Sequence, residues 1–476
     1  MTVIRNAQTL ALDKVELLSP SGLRDEIIRA VRGTARISAL FHHDERLWAV
    51  LSSAETGQLQ IVCAPVRGSY PALTPECPQA HYFEREVFED SGVRPEGHPG
   101  LKPIRSGYAD FFQVAGEEIH EVAVGPVHAG IIEPGHFRFQ CHGEDVLHLE
   151  ISLGYQHRGV EAMLVGGPDK RTIHVMETLA GDTSAGHGAA YAQAVESLSQ
   201  TRVSARALAL RGVALELERL ANHTGDLGAL ASDVGYLPTA SFCGRLRGDF
   251  LNMTALLCGS RFGRGLVRPG GSGFDAEAGR AKELLLRLEQ ALRDVGGAVD
   301  LLWKSPSVMA RFENTGTISR ETCLDLGLVG PAARACAVER DVRHDFPHGI
   351  YGFSQIPVST APTGDVFARA YVRWLEIQRS AAFVREMLEH LPQGQLRAQP
   401  GALAPDSLCV SLVEGWRGEI CHVAVTDGQG RFSRYKVVDP SFHNWPGLAM
   451  ALRNQQISDF PLCNKSFNLS YCGHDL

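Results

Sequence analysis

The chain has 476 residues, of which 44% are hydrophobic and 21% are charged, and its formal net charge at pH 7 is -8. This length is too great for one ordinary hydrophobic core, so the sequence predicts two or three globular domains. An acidic chain without a basic stripe predicts no nucleic-acid partner.

No stretch of the sequence approaches the roughly 20 consecutive apolar residues that a membrane-spanning helix requires. The N-terminal residues Met-Thr-Val-Ile-Arg-Asn lack the basic and then apolar pattern of a secretory signal. We therefore expect a protein on the cytoplasmic side of the cell, either free or held peripherally at the membrane by other subunits.

Eleven cysteines are scattered singly along the chain, and no CxxC pattern occurs. Isolated cysteines of this kind predict small buried apolar residues. Because iron–sulfur clusters usually draw on closely spaced cysteines, we expect no cluster to be bound by this chain alone.

The first region, about residues 1–115, alternates between helical and strand patterns. Residues 25–32 have helical spacing, and short strands are predicted at 36–40, 46–52 and 58–63. A helix is then predicted from His81 to Gly92, where Glu84 and Arg85 favour a solvated, docking face.

The second region opens with a glycine-rich motif from Gly125 to Phe139, followed by strand character at 146–151. Its pattern predicts a hairpin whose polar tip carries His128 and His136. For these histidines, a purely structural role and a binding role remain equally open.

Long helices dominate the rest of the chain. The strongest helical signal runs from His187 to Ala231, and further helices are predicted at 276–303 and 364–391. Residues 330–347 are predicted as loop and turn. A strand pair is predicted from residues 413–425 and 433–442, across the turn Asp427-Gly-Gln-Gly.

Charged residues are concentrated in four motifs. The motifs contain His157, Arg158 and Glu161; Glu218, Arg219, Asn222, His223 and Asp226; Arg334, Asp341, Arg343 and Asp345; and Glu414, Arg417 and Glu419. The polar groups of the second motif must pair internally if its helix is buried. The alternation of acid and base on one turn predicts mutual ion pairing for the third motif. For the others, a static network and a role in proton movement remain open.

These motifs resemble known families. The segment from His81 to Gly100 resembles the signature ERExxDxxGIxxxGHP of the 30-kilodalton type subunit of respiratory complex I. It matches at Glu84, Arg85, Glu86, Asp90, Gly92, Gly97, His98 and Pro99. The hairpin motif, the HRGxE element at 157–161, the ERxxNHxxDxG pattern at 218–228 and the ExxRGE pattern at 414–419 resemble the 49-kilodalton type subunit and the large subunits of energy-converting nickel–iron hydrogenases, including formate hydrogenlyase.

The resemblance implies an α+β fold. It implies a small α+β domain at 1–115, like the 30-kilodalton subunit, followed by a mostly helical domain at 116–476, like a hydrogenase large subunit with peripheral β-hairpins.

The cysteines that bind nickel and iron in the hydrogenases are missing from the matching positions. Where those proteins carry CxxCxxxH, this chain has Ala180 and Thr183 ahead of His187, and the C-terminal pair is replaced by Ser470 and Gly473. These residues lack the soft anionic sulfur that such a site needs. We therefore predict no metal bound by this chain.

The resemblance implies a subunit of a membrane-associated, energy-converting redox complex, of the quinone-binding and NAD-binding complex I type or of the hydrogenase type. The implied partners are a small iron–sulfur subunit, a ferredoxin-like subunit and membrane ion-translocating subunits, and quinone is a candidate acceptor.

Three groups of residues are implied as sites. Acceptor binding is assigned to His128, Glu133 and His136; catalysis to Glu177, Asp182 and His187; and coupling or a structural polar network to His157, Arg158, Glu161, His223, Asp226 and Arg417. Burial is expected to raise the pKa of Asp182 and Glu177. Two alternatives stay open: a structural bridging subunit with a closed cavity, and a hydrogenase with unconventional ligands.

Overall fold

The computed structural model describes residues 2–129 and 132–476. The elements of its first part are β1 (Thr2–Ile4), β2 (Thr9–Ala11), α1 (Pro20–Arg32), β3 (Arg36–His43), β4 (Arg46–Ser53), β5 (Gln58–Pro65), β6 (Ser69–Pro71), α2 (His81–Ser91) and β7 (Arg94–Glu96). The predicted strands are confirmed. The helix predicted from His81 is α2, and it ends as expected at Gly92, which has a left-handed backbone conformation (φ 72°).

Four antiparallel strands form the N-terminal sheet, in the order β1-β5-β4-β3. Strand β4 is buried over nearly its whole length, as expected for a central strand covered on both faces. Helix α1 packs on β5 and helix α2 packs on β3. Short strands β6 and β7 pair in parallel beside this sheet.

The predicted hairpin region is a three-stranded antiparallel sheet. It contains β8 (Ile119–Val124), β9 (His136–His142) and β10 (Asp145–Ser152), in the order β10-β9-β8. The β8–β9 loop includes the motif at 125–135, of which residues 130 and 131 lie outside the described residues.

The helical body follows. Its elements are α3 (Val160–Leu164), α4 (Thr172–Met176), α5 (Ser184–Leu198), α6 (Ala205–Asp233), α7 (Leu237–Cys258), β11 (Val267–Arg268), β12 (Gly271–Ser272), α8 (Ala278–Trp303), α9 (Pro306–Phe312), α10 (Arg320–Leu326), α11 (Gly330–Arg334), α12 (Val342–Asp345) and α13 (Val366–Glu389). Helices α6, α7, α8 and α13 pack together around the largest hydrophobic core.

Two predictions about the helical body were wrong in detail. The signal from 187 to 231 is two helices, because the chain turns at Gln200 (φ 51°) and the Ser204 side chain caps α6 by accepting from the Ala207 backbone N–H. The segment 330–347, expected as loop, contains the short helices α11 and α12. Helix α7 had no counterpart in the sequence interpretation.

The C-terminal part contains β13 (Ser407–Gly415), β14 (Gly418–Thr426), β15 (Phe432–Val438), α14 (Pro440–Ala451), α15 (Phe460–Phe467) and α16 (Tyr471–His474). The predicted turn at 427–430 joins β14 to β15 as expected. However, residues 413–425 are not one strand, because the chain reverses at Trp416 and Arg417 between β13 and β14.

The α+β class is confirmed, but one hairpin departs from the expected peripheral position. Every residue of β13 and β14 is buried. The reason is that β13 pairs with β2 from the N-terminal region and also packs against helix α5. Consequently, the second hydrophobic core is shared between the N-terminal sheet and strands β13, β14 and β15. The division near residue 115 remains a prediction about domains.

Within the described ranges, none of the helices is both long enough and apolar enough to span a lipid bilayer.

Candidate functional site

The four positions that lack the expected cysteines lie in two segments that meet in the interior. Ala180 and Thr183 precede helix α5, and Ser470 and Gly473 lie at helix α16; all four are buried. The two segments lie next to each other, and Arg417 contacts both of them. We call the space around these four positions the cradle.

A guanidinium group joins the two segments. Arg417, at the β13–β14 turn, donates to both oxygens of Asp182 over 2.6 and 2.8 Å and to the Asn468 carbonyl over 2.5 Å. The neighbouring Trp416 indole donates to the Thr183 hydroxyl oxygen over 3.2 Å. Positive charge in the cradle is thus supplied by an arginine side chain.

At Gly473, the second position of the C-terminal pair, a carboxylate occupies the space of the missing cysteine side chain. An added Cβ at Gly473 would lie 2.7 Å from Cγ of Asp439. Asp439 is held there by the Ser441 backbone N–H, which donates over 2.8 Å, and by His187 Nε2, 3.1 Å from its second oxygen. A cysteine side chain therefore cannot be placed at this position without displacing Asp439.

These residues do not fit a nickel–iron centre. The cradle offers no pair of thiolates, and Cys472 is protonated near neutral pH, because burial and the nearby Glu133 raise the pKa of its thiol to about 11. Over residues 2–129 and 132–476, no group of three or more His, Cys, Asp or Glu side chains is arranged to hold a metal ion.

The expectation for the pKa of Asp182 was wrong in direction. Burial alone would raise it, but the Arg417 guanidinium outweighs burial and holds the pKa of the carboxyl below its ordinary value. Asp182 is therefore ionised at neutral pH and serves as the partner of Arg417.

Glu177 faces away from this pair. Its carboxylate accepts from the Gly265 backbone N–H over 2.6 Å and lies 3.6 Å from Arg268 and 3.5 Å from His174. It therefore anchors the segment at 265–268 to the chain ahead of α5.

A second carboxyl, that of Glu218 in the second charged motif, lies beside Asp182 and is not among the site residues that the resemblance implies. Glu218 of α6 accepts from the backbone N–H groups of Ala185 and Gly186 over 2.7 and 3.1 Å, at the start of α5. Burial raises the pKa of Glu218 to about 8, and the Asp182 charge adds to this effect. Two neighbouring carboxyls with pKa values moved in opposite directions are typical of acid–base sites. The sequence could not reveal this, since Glu218 meets α5 only in the folded chain.

The two hairpin histidines are tied to the backbone of their own loop. His128 Nε2 donates to the Gly135 carbonyl over 2.9 Å, and His136 Nδ1 donates to the Gly125 carbonyl over 3.2 Å. Each ring keeps its second nitrogen for another partner.

Glu133 connects the hairpin loop to the cradle. Its carboxylate accepts from the Tyr471 backbone N–H over 3.2 Å and from the Gln156 side chain over 3.0 Å. Of the three residues predicted to bind an acceptor, His128 and Glu133 therefore lie on the β8–β9 loop and His136 begins β9, and Glu133 contacts helix α16.

The residues predicted for coupling separate into different environments. His157 and Arg158 are exposed, and Arg158 donates to the carbonyls of Thr178 and Leu179. Glu161 is buried and accepts from Lys436 Nζ over 2.9 Å.

The buried members of this set belong to ion-pair networks. His223 Nε2 lies 2.9 Å from Glu376, and Asp226 accepts from Arg373 over 2.7 Å and from Asn468 over 2.5 Å. Arg417 thus reaches Asp226 through Asn468.

The ion pairing predicted for the third charged motif is confirmed. Arg343 and Arg334 lie 2.6 and 3.5 Å from Asp341, and Asp345 pairs with His344.

Glu84 and Arg85 of helix α2 are buried, although a solvated face was predicted for them. Glu84 accepts from the backbone N–H groups of Leu73 and Thr74 over 2.7 and 2.9 Å, and Arg85 donates to the carbonyls of Lys102 and Pro103. These two residues stabilise the N-terminal fold and are not available for docking.

Comparison with known proteins defines the class. Residues 29–111 match the family described as respiratory-chain NADH dehydrogenase, 30 Kd subunit, and residues 233–407 and 397–475 match the 49 Kd subunit family of the same dehydrogenase. The chain belongs to the 49 Kd subunit family, fused to a 30 Kd-type N-terminal part.

Individual relatives include both hydrogenases and complex I subunits. The carbon monoxide-induced hydrogenase of Rhodospirillum rubrum is 31% identical, over 73% of this chain and 97% of that protein. Formate hydrogenlyase subunit 5 of Escherichia coli (strain K12) is 28% identical, over 91% of this chain and 84% of its own. An NADH-quinone oxidoreductase subunit of Desulforamulus reducens is 30% identical, over 67% of this chain and 87% of its own. The predicted resemblance to both kinds of protein is confirmed.

Proposed function

We propose that this chain is a subunit of a membrane-associated, energy-converting redox complex related to complex I and the hydrogenases, and that it works without a nickel–iron site. The proposal rests on the identity of the side chains that occupy the cradle. The buried Arg417 pairs with the partly exposed Asp182 next to Thr183, and Asp439 fills the space at Gly473. Both arrangements replace metal ligands with a closed set of hydrogen bonds.

Electrons would arrive from a small iron–sulfur subunit packed against this chain, with a ferredoxin-like subunit upstream. They would pass to a quinone-like acceptor at the hairpin loop. The free ring nitrogens of His128 and His136 offer hydrogen bonds to a carbonyl-bearing acceptor. Membrane ion-translocating subunits would hold this chain peripherally on the cytoplasmic side.

The proton donor in this proposal is Glu218 and not Asp182 or Glu177. A group that donates a proton near neutral pH needs a pKa close to that pH. Glu218 meets this condition with a pKa raised to about 8, whereas Asp182 is held ionised by Arg417. Asp182 would orient Arg417 and keep Glu218 protonated through its negative charge.

The metal claim is tested on the purified complex. Elemental analysis should find nickel well below one atom per chain, and dihydrogen production should be absent. Nickel near one atom per chain would contradict the proposal and favour a hydrogenase with unconventional ligands.

The acceptor claim is tested with His136→Ala and Asp182→Asn in the assembled complex. Each should lower quinone-dependent turnover by about tenfold or more. This is less than the roughly 10²–10⁴-fold that a positioned proton-transfer group contributes, because His136 binds the acceptor and Asp182 acts through Arg417 and Glu218. His142→Ala is the matched control, because His142 lies on the same strand β9 but is exposed and pairs with Glu118. Unchanged turnover in both variants would contradict the assignment.

A structural bridging role is the second candidate. It is favoured by the hydrogen bonds of His128 and His136 to their own loop, which a purely structural hairpin would also show. This role predicts that His136→Ala weakens assembly of the complex without changing turnover per assembled complex.

A further inference from the structure

Four buried side chains form a hydrogen-bonded series that begins at the cradle. Asp439 Oδ2 lies 3.1 Å from His187 Nε2, His187 Nδ1 lies 3.1 Å from His422 Nε2, and His422 Nδ1 lies 2.9 Å from the Tyr435 hydroxyl. All four side chains are essentially inaccessible to solvent. Asp439 is the N-cap of α14, His187 lies on α5, His422 on β14 and Tyr435 on β15. Only the tertiary fold therefore brings the four together.

With both imidazoles neutral, the hydrogen atoms of this series have one arrangement that satisfies every group. The Asp439 carboxylate can only accept, so His187 donates from Nε2 and accepts at Nδ1. His422 must then donate from Nε2 and accept at Nδ1, where the Tyr435 hydroxyl donates. The pKa of Tyr435 is raised well above its ordinary value by burial, and burial holds the pKa of His422 well below its own, so both are neutral.

The two ends of the series lie in different environments. The inner end is Asp439, against Gly473 in the cradle. The outer end is Tyr435, whose ring centroid lies 6.4 Å from that of Tyr191. Tyr191 lines a surface cleft of about 740 Å³, and Asp169, which accepts from the Thr172 hydroxyl over 3.1 Å, lines the same cleft.

We infer that Asp439, His187, His422 and Tyr435 form a proton relay between this cleft and the cradle. When a proton enters at the Tyr435 oxygen, the hydroxyl proton moves to His422 Nδ1, the His422 Nε2 proton moves to His187 Nδ1, and the His187 Nε2 proton moves to Asp439. One proton enters, one carboxylate is neutralised, and no other charge changes.

After Asp439 releases its proton into the cradle, the ionised carboxylate faces the lone pair of His187 Nε2, which is unfavourable. The starting tautomers return when Asp439 takes up a proton from the cradle and passes it to His187 Nε2. The His187 Nδ1 proton then moves to His422 Nε2, the His422 Nδ1 proton moves to the Tyr435 oxygen, and one proton leaves at that oxygen, so the series carries protons in either direction. The use of the delivered proton rests on the proposed function, but the existence of the relay does not.

The relay is tested by ¹⁵N NMR of histidine-labelled full-length chain, with His187→Gln and His422→Gln used for assignment. In the unmodified protein, both rings should carry their proton on Nε2. In Asp439→Asn, the amide oxygen keeps the hydrogen bond from Ser441 and the amide nitrogen faces His187. Both His187 and His422 should therefore switch their proton to Nδ1.

The switch at His422 is the decisive readout, since this ring does not contact residue 439. If His422 keeps its Nε2 proton in Asp439→Asn, the relay is refuted. Asp365→Asn is the matched control, because Asp365 is also a buried cap that accepts from a backbone N–H, that of Ala368 over 2.8 Å. It should leave both tautomers unchanged.

Tyr435→Phe provides a second, more conservative test. Loss of the hydroxyl should shift the Nδ1 resonance of His422 and also that of His187, one ring further along. No change at His187 would contradict the relay. In the assembled complex, this variant should lower quinone-dependent turnover about tenfold or more and raise its solvent isotope effect.

The control for the turnover measurement is Tyr351→Phe, which removes a buried hydroxyl that donates to Glu216 over 2.7 Å outside the relay. It should not change the isotope effect. The two proposals fail in different ways. If the complex has no quinone-dependent turnover but its chain still shows the coupled tautomer switch, the proposed function is refuted. The relay is then still supported.

Discussion

At the scale of single residues, the loss of a cysteine is not simply the loss of a ligand. Gly473 has no room for a side chain, because Asp439 already occupies that volume, whereas Thr183 is close in size to the cysteine it replaces. The fold has therefore adapted around one missing thiol more than around the other.

This difference predicts that a restored cysteine is tolerated less well at residue 473 than at residue 183. Gly473→Cys should destabilise the protein by about 1–3 kcal/mol, the usual cost of overpacking a core. Thr183→Cys should cost about 1 kcal/mol, since it loses the hydrogen bond from Trp416 but keeps the volume. Thermal unfolding of both variants gives the comparison, and equal stability of the two would contradict the steric account.

The Glu218 carboxyl makes a prediction about pH. Its folded pKa is raised to about 8, from an ordinary value of 4.5, so the folded state binds more protons than the unfolded state between these values. Stability from this group should therefore be full below pH 4.5 and lost as pH rises towards 8.

Glu218→Gln should remove this dependence. Each unit of pKa shift corresponds to about 1.4 kcal/mol, so the free energy of unfolding of the variant relative to the unmodified protein should rise measurably between pH 5 and 8. Urea unfolding at several pH values provides the measurement. Parallel curves would show that Glu218 has an ordinary pKa in the folded protein.

At the scale of elements, the β8–β9 loop is closed by backbone geometry. Gly125 has φ +80°, and an added Cβ would lie 2.2 Å from the Gly135 carbonyl oxygen. This carbonyl also accepts the hydrogen bond from His128, so the glycine and the histidine are fixed together. The position of the proposed acceptor site depends on this closure.

Gly125→Ala should open the loop. The expected cost is about 1–3 kcal/mol for the unfavourable backbone conformation, with the steric clash in addition. Gly143→Ala, in the β9–β10 turn, is the matched control, because its φ is +58° but an added Cβ meets nothing within 4 Å. Hydrogen exchange should show faster exchange at 120–137 only in the first variant; equal effects would contradict the contact argument.

At the scale of the whole molecule, the N-terminal sheet is not an independent unit. Strand β2 pairs with β13, and the second hydrophobic core contains residues of β13, β14 and β15 as well as of the N-terminal sheet. The buried Lys436 also bridges Glu86 of the N-terminal region and Glu161 of the following region. The two regions therefore complete each other's cores.

A fragment of residues 1–115 should fail to unfold cooperatively when expressed alone. Without β13 and β14 its apolar face is exposed, and Glu86 loses the ion pair with Lys436. The full chain is the control and should show one transition that includes the N-terminal region, followed by circular dichroism and by fluorescence of Trp48. A sharp transition of the isolated fragment would contradict the shared core.

The sequence by itself determined the α+β class, most helices and strands, and the family. These follow from local periodicity and from motifs that are contiguous in the chain, such as the residues around Glu84 and His136. It also determined that the metal-binding cysteines are missing, because an absent side chain is visible in the sequence.

Only the tertiary structure decided what replaced those cysteines. Arg417 meets Asp182, Asp439 fills the space at Gly473, and Glu218 reaches the start of α5, although all of these partners are far apart in the chain. Whether a buried carboxyl is ionised depends on the charges packed around it and not on its neighbours in sequence. For that reason the pKa of Asp182 was predicted in the wrong direction, and the raised pKa of Glu218 became apparent only in the folded protein.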